Sequence, residues 1–248
     1  MRPIERGPSP EAEDFENYRD AFVELRSRLG PYCSYCERRI PTNLAVEHIQ
    51  AKEYTNADGE RPYAHLKGRW DNFLLACVNC NSTKGDKNVL LYDVLLPDRD
   101  NTSAAYVYRQ DGVIEPSQSL SLSQTKLAAA LLRLVGLDKP RISELDSNGR
   151  LVSIDRVGDR AEAFSEALDS LADYEARPTD AMARSVVRTA RANGFFSIWM
   201  TVFADHPSLR RAFVESFPGT CEDCFDLEGE PISPRGAAKP ELAYGGKV

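Results

Sequence analysis

The sequence lacks any apolar run long enough to cross a bilayer, and its first residues lack the apolar core of a signal peptide. It also lacks a basic excess: 31 lysines and arginines face 38 aspartates and glutamates, a formal net charge of -7. Proteins that hold phosphate backbones unaided usually show the opposite balance. No internal repeat is evident. Histidine is scarce, with three in 248 residues, and cysteine is limited to six. A disulfide framework does not suit a chain of this length, and thiols kept as pairs fit a reducing cytoplasm. These absences predict a soluble, cytoplasmic protein of one large domain or two small ones.

What is present is concentrated in 33–86. The stretch opens with Cys33-Ser34-Tyr35-Cys36 and reaches Val46-Glu47-His48-Ile49. It closes with Asn72-Phe73-Leu74-Leu75-Ala76-Cys77-Val78-Asn79-Cys80-Asn81-Ser82-Thr83-Lys84-Gly85. Two Cys-x-x-Cys pairs thus enclose a Glu-His pair and two asparagines. Thiolates are soft ligands for a closed tetrahedral zinc site, whereas carboxylate, amide and imidazole suit a harder, more open one. The spacing predicts one structural zinc on Cys33, Cys36, Cys77 and Cys80. Leu44-Ala45-Val46 reads as a strand delivering Glu47 and His48 at its end. Phe73-Leu74-Leu75-Ala76 reads as a second strand, and 78–84 as a short helix that carries Asn81 and Lys84 and ends at Gly85.

In this order the motifs resemble those of the HNH endonucleases, a family with a ββα-metal fold. The family pair, commonly Asp-His, is Glu47-His48 here, and the last motif position, often histidine, is Asn81. Longer phrases are similar to those of the PtuB-type HNH effectors of Septu and retron-linked anti-phage systems. These are Met1-Arg2-Pro3-Ile4, Tyr32-Cys33-Ser34-Tyr35-Cys36-Glu37-Arg38-Arg39, Val46-Glu47-His48-Ile49-Gln50 and Asn72-Phe73-Leu74-Leu75-Ala76-Cys77. The resemblance implies metal-dependent hydrolysis of nucleic-acid phosphodiester bonds. It implies one divalent cation, magnesium, between Glu47 and Asn81, with Asn72 bracing the loop that aims His48. It further implies an ABC-type (PtuA-like) ATPase as a partner, and no membrane.

The residues themselves supply the rest of the chemistry. His48 is a natural general base, since its ordinary pKa lies near neutrality. Lys84 can meet a phosphate oxygen as a point charge, and Arg38, Arg39 and Lys52 are further candidate substrate contacts. Taken singly, a Glu-His at a strand end is more often structural than catalytic, and Asn72 and Asn81 would be turn and cap residues. The competing reading is a non-catalytic zinc ribbon that binds nucleic acid or a protein; such a ribbon does not require Glu47, His48 and Asn81 together. Eight basic and seven acidic side chains fall within 33–87, leaving that stretch at +1 and the remainder at -8.

The expected fold is α+β: a small ββα-metal HNH module with a four-cysteine zinc site, between an N-terminal helix and a C-terminal helical domain. The expected boundaries are an extended segment and helix over 1–31, the module over 32–97, a hairpin and connector over 98–123, the helical domain over 124–227, and a mobile tail over 228–248. Phe15, Tyr18, Phe22, Leu25 and Leu29 form one apolar stripe of a helix over 9–29, capped by Ser9 and ended by Gly30-Pro31. Residues 90–96 read as strand or short helix. Asp98-Arg99-Asp100-Asn101 lacks the glycine and glutamate of a calcium loop and reads as a turn. Asp111-Gly112 predicts a two-residue hairpin turn. Further on, Asp159-x-x-Glu162 looks like a capping box, Thr179 a helix cap, and 195–203 a central apolar helix. His65 reads as solvated, His206 as a cap, and Cys221 and Cys224 as small buried residues.

Overall fold

The computed structural model describes residues 1–139, 156–232 and 242–248. Its first residues run through the interior. Arg2 is buried and donates to the carbonyls of Leu29 and Pro218, while Arg6 reaches Asp98 at 2.7 Å and the carbonyls of Asp71 and Phe73. The expected helix over 9–29 is real only in its second half: α1 spans Ala21–Leu29, preceded by a 3-10 turn at Tyr18–Asp20. The reason lies in the stripe. Phe15 stacks on Trp70 at 6.0 Å and its backbone N–H bonds to the Gly68 carbonyl, so the chain before Tyr18 is pinned in a bent, non-helical course. Ser9 accepts from Glu11 in a local turn rather than opening a helix.

The module follows as foreseen. Strand β1 (Leu44–His48) pairs antiparallel with β2 (Phe73–Cys77) in a register that sets Leu44 opposite Cys77 and His48 opposite Phe73. Helix α2 (Val78–Lys84) leaves β2 without a linker, because Cys77 is its N-cap and Cys77 Sγ accepts from the Cys80 N–H. Residues 90–96 form turns instead of a strand or helix, with Leu95 and Leu96 buried. Four-residue helix α3 (Thr102–Ala105) is capped by Asn101. Strands β3 (Tyr106–Tyr108) and β4 (Ile114–Pro116) form the hairpin, but through a five-residue loop closed by Arg109 and Val113 rather than a two-residue turn. Gly112 in that loop has φ +82°, and a Cβ there would lie 2.1 Å from the Val157 carbonyl oxygen.

Helices α4 (Leu122–Val135, with a Ser121–Gln124 capping box), α5 (Arg156–Ala176), α6 (Asp180–Asn193), α7 (Phe196–Val202) and α8 (Pro207–Ser216) make up the C-terminal half. Asp159 is no cap, since α5 is already helical at Arg156; it pairs with Arg38 instead. Thr179 does cap α6. Helix α7 is central as expected: Trp199 is fully buried against Phe203 and Phe213. His206 occupies the N-cap position of α8 without capping it; its ring pairs with Glu175 and packs on Tyr174. Cys221 and Cys224 are buried. The tail is held where it is described. Glu230 pairs with Arg210, Val248 is buried and its carbonyl accepts from Asn101, while 233–241 lie outside the described residues.

One knuckle residue joins the two halves. Glu37, at φ +61°, turns its buried carboxylate onto the N-terminus of α7, accepting from the Ser197 N–H at 2.9 Å and hydroxyl at 2.7 Å. It also accepts from the Arg2 N–H and from Tyr108 at 3.3 Å, and its carbonyl accepts from Phe195. Replacing Glu37 by Ala strands several buried donors, each costing about 1–3 kcal/mol. Glu37→Ala is therefore expected to lower the denaturation midpoint sharply, as read by chemical unfolding, where an exposed Glu60→Ala leaves it unchanged.

Candidate active site and metal centre

Antiparallel pairing and the absence of a linker between β2 and α2 bring the two cysteine pairs together. The Sγ atoms of Cys33, Cys36, Cys77 and Cys80 all lie within 4.8 Å of one another and all four residues are buried, the only such cluster among the described residues. Cys36 and Cys77 sulfurs are 3.8 Å apart, matching the edge of about 3.8 Å in a tetrahedron with Zn–S bonds of ~2.3 Å. Hydrogen bonds among the four sulfurs, with burial, push the Cys36 and Cys80 thiols up and pull Cys77 down. The donor set fits zinc. Two guanidiniums stand by to offset the excess thiolate charge: Arg156 Nη1 is 3.6 Å from Cys80 Sγ, and Arg38 lies beside Cys36 and Cys77.

His48 ends β1 with its ring wedged edge-on between Tyr18 (4.8 Å between centroids) and Phe73 (5.2 Å). Its Nε2 lies 3.0 Å from the Lys67 carbonyl oxygen. A carbonyl only accepts, so Nε2 carries the proton and Nδ1 keeps the lone pair. Burial pulls the His48 pKa down, with Lys52 and Lys84 adding to it, while the Lys67 carbonyl opposes. The loop that presents this carbonyl is stapled by Asn72. Its Oδ1 accepts from the Gln50 N–H at 2.9 Å, and its Nδ2 donates to the carbonyls of Gln50 at 3.1 Å and Leu66 at 3.4 Å. The Asn72 carbonyl accepts from Ile49, next to His48. Both ends of the loop 50–69 are thereby fixed by one side chain.

Glu47 is only 2% exposed, and Lys84, itself 1% exposed, lies with Nζ 2.9 Å from Glu47 Oε1 and 2.7 Å from the His48 carbonyl oxygen. The ammonium therefore hydrogen-bonds that carbonyl and forms a buried ion pair with the carboxylate. Burial raises the Glu47 pKa and Lys84 works against the rise. A cleft of about 380 Å³ is lined by Tyr18, Glu47, His48, Lys52, Asn81 and Lys84, among others. A larger cavity of about 510 Å³ lies between the N-terminal segment and Arg69–Asp71, has a mostly acidic lining, and contains none of these groups.

The structure thus gathers Glu47, His48, Asn81 and Lys52 around one cleft, with Asn72 behind it. Three expected substrate contacts stand elsewhere or otherwise engaged. Lys84 is buried because the register of β1 places Glu47 over the last turn of α2. Arg38 turns to Asp159 on α5 at 2.7 Å, and Arg39 is exposed beside Gly194; neither lines the cleft. Sequence reasoning missed three contributors. The Lys67 carbonyl leaves no side-chain signal, Tyr18 was absorbed in an apolar stripe, and Glu37 looked like part of the knuckle.

Residues 33–87 match the family model for HNH endonuclease. The match spans a little over a fifth of the chain and takes in all four cysteines together with Glu47, His48, Asn72 and Asn81. No curated protein matches the chain. The HNH segment is similar to a family of nucleases that use divalent metals, and the oxygen donors of Glu47 and Asn81 are of the hard kind that magnesium prefers. The spot already accommodates a positive charge, that of Lys84. Metal analysis of purified protein is expected to find one zinc per chain. Cys80→Ser should lose that zinc and the cooperative melting of the HNH segment, because structural zinc contributes directly to folding.

Proposed function

We propose that the protein is a metal-dependent HNH endonuclease that hydrolyses nucleic-acid phosphodiester bonds. The observation that carries the reading is the aim of His48: a ring whose Nε2 is tied to the Lys67 carbonyl by an Asn72-stapled loop, at the wall of an open cleft. A zinc ribbon that only binds has no need of such a tether. In the proposed reaction His48 Nδ1 takes a proton from a water as that water's oxygen attacks phosphorus, and the phosphorus–oxygen bond to the leaving group breaks in line. Tyr18 and Phe73 hold the ring edge-on and keep it from turning. Glu47 and Asn81 are the residues that would hold a divalent cation, magnesium, whose positive charge stabilises the phosphate and the leaving oxygen.

Charge placement supports a helper for substrate delivery. Of the basic residues near the module, Lys84 is engaged by Glu47, Arg38 by Asp159, Lys52 by Glu53 and Arg69 by Asp14 and Asp71. Few cations are left to hold a phosphate backbone, whose binding scales with the phosphates neutralised. We extend the proposal to an effector nuclease of an anti-phage system, acting in the cytoplasm with an ABC-type ATPase that brings substrate. The phrasing shared with PtuB-type effectors, the acidic balance and the large helical half support this partner.

Cleavage is tested with purified protein on DNA and RNA, with and without magnesium. His48→Ala is expected to retain zinc and fold while its rate falls at least ~10²–10⁴-fold; unchanged turnover would leave the binding ribbon as the reading. For the partner, copurification with a coexpressed ABC-type ATPase is expected, together with weak nucleic-acid binding by the chain alone. Tight, strongly salt-dependent binding and full activity without it would remove the partner.

A further inference from the structure

A carboxylate closed off from water needs a cation, and at the end of β1 that cation is a lysine. Lys84 reaches Glu47 from the last turn of α2, three residues after Asn81, so the ammonium comes from the helix that carries the second oxygen donor of the proposed metal site. Its two contacts are unequal. One is a hydrogen bond to the neutral His48 carbonyl at 2.7 Å, and the other is the ion pair with Glu47 Oε1 at 2.9 Å. The ammonium is thus anchored on the backbone while it neutralises the carboxylate, which Tyr35 also approaches. A divalent cation arriving at Glu47 would meet this positive charge at close range, with almost no water between to screen it.

Resting on the metal-site reading above, we propose that Lys84 is the resident counter-ion of Glu47 and competes with the divalent cation for that carboxylate. Without metal, Lys84 keeps the buried end of β1 electrically balanced and docked to α2. With metal, the ammonium is released from Glu47 onto the cleft wall that Lys84 already lines, where a phosphate can meet it. One lysine accordingly accounts for both a closed resting site and the phosphate contact expected of its position.

The test is binding of manganese, as a spin probe for the divalent cation, to the full-length zinc-loaded protein, followed by electron paramagnetic resonance. The wild type is expected to bind one ion that Glu47→Gln abolishes. Lys84→Gln keeps an N–H for the His48 carbonyl but removes the charge, and should bind manganese roughly tenfold tighter, the scale of coupling between two linked sites. Zinc content serves as the folding control, and Lys84→Arg should bind as weakly as the wild type. Equal or weaker binding by folded Lys84→Gln overturns the proposal. Should that variant lose its zinc, reductive methylation of the wild type decides. Lys84 is expected to resist labelling alone and to label when manganese is added, and resistance under both conditions overturns the idea. Absence of any Glu47-dependent manganese binding would overturn the metal-site reading and this proposal with it. A nuclease assay is not needed for any of these outcomes.

Discussion

Four cysteine sulfurs confined within 4.8 Å in the protein interior form a donor set that fits a zinc ion, and the rest of the module is arranged around that cluster. It fixes the knuckle 33–36 against the junction of β2 and α2, and so sets where β1 must run to pair with β2. The position of His48 at the end of β1 and of Asn81 on α2 follows from the same clamp. The constraint also reaches outward. Arg156 contacts Cys80 and Arg38 lies beside Cys36 and Cys77, and Arg38 in turn is held by Asp159, so α5 is tied to the cysteine cluster. Glu37 does the same from the other side of the knuckle by bonding to α7. The C-terminal helices are therefore part of the environment of the four cysteines, not merely a neighbour of the module.

The ββα core was legible because each of its parts has a local cause. Ligand spacing set the knuckles, Gly85 ended the helix, and two short apolar runs made the strands. The staple role of Asn72 was accessible only through family resemblance, since an asparagine before a strand carries no signal of its own. The errors share a different origin. Phe15 and Tyr18 fall on a helical stripe, yet one is used on Trp70 and the other on His48, and tertiary contact outweighs periodicity there. Lys84 and Arg38 read as substrate contacts, and their ion pairs with Glu47 and Asp159 stay hidden because the sequence shows charge but not register. Whether a lysine one turn beyond Asn81 meets solvent or Glu47 is decided by how β1 lies over α2, which no local window reports. Asp159 failed as a cap for the same reason: its partner is 121 residues away.

The cleft itself is built from few freely acting charges. Burial pulls the His48 pKa down, Glu47 is paired with Lys84, and Lys52 is shared between Glu53 and the Tyr18 ring. Such a site has little long-range pull on a polyanion and little tendency to trap one. It is better suited to act on substrate already presented than to search for it.

The Asn72 staple has a consequence for how such a chain can change over time. Because it joins Gln50 to Leu66 at the base of the loop, the segment between them is closed off from the histidine as a stem closes off the head of a pin. The tip is also self-contained, with Asn56 accepting from the N–H groups of Asp58 and Glu60 and closing its own turn. Insertions, deletions or wholesale replacement at that tip need not move the His48 ring, since lengthening a closed loop costs little. The same module can thereby change that tip by drift while the setting of its histidine stays fixed.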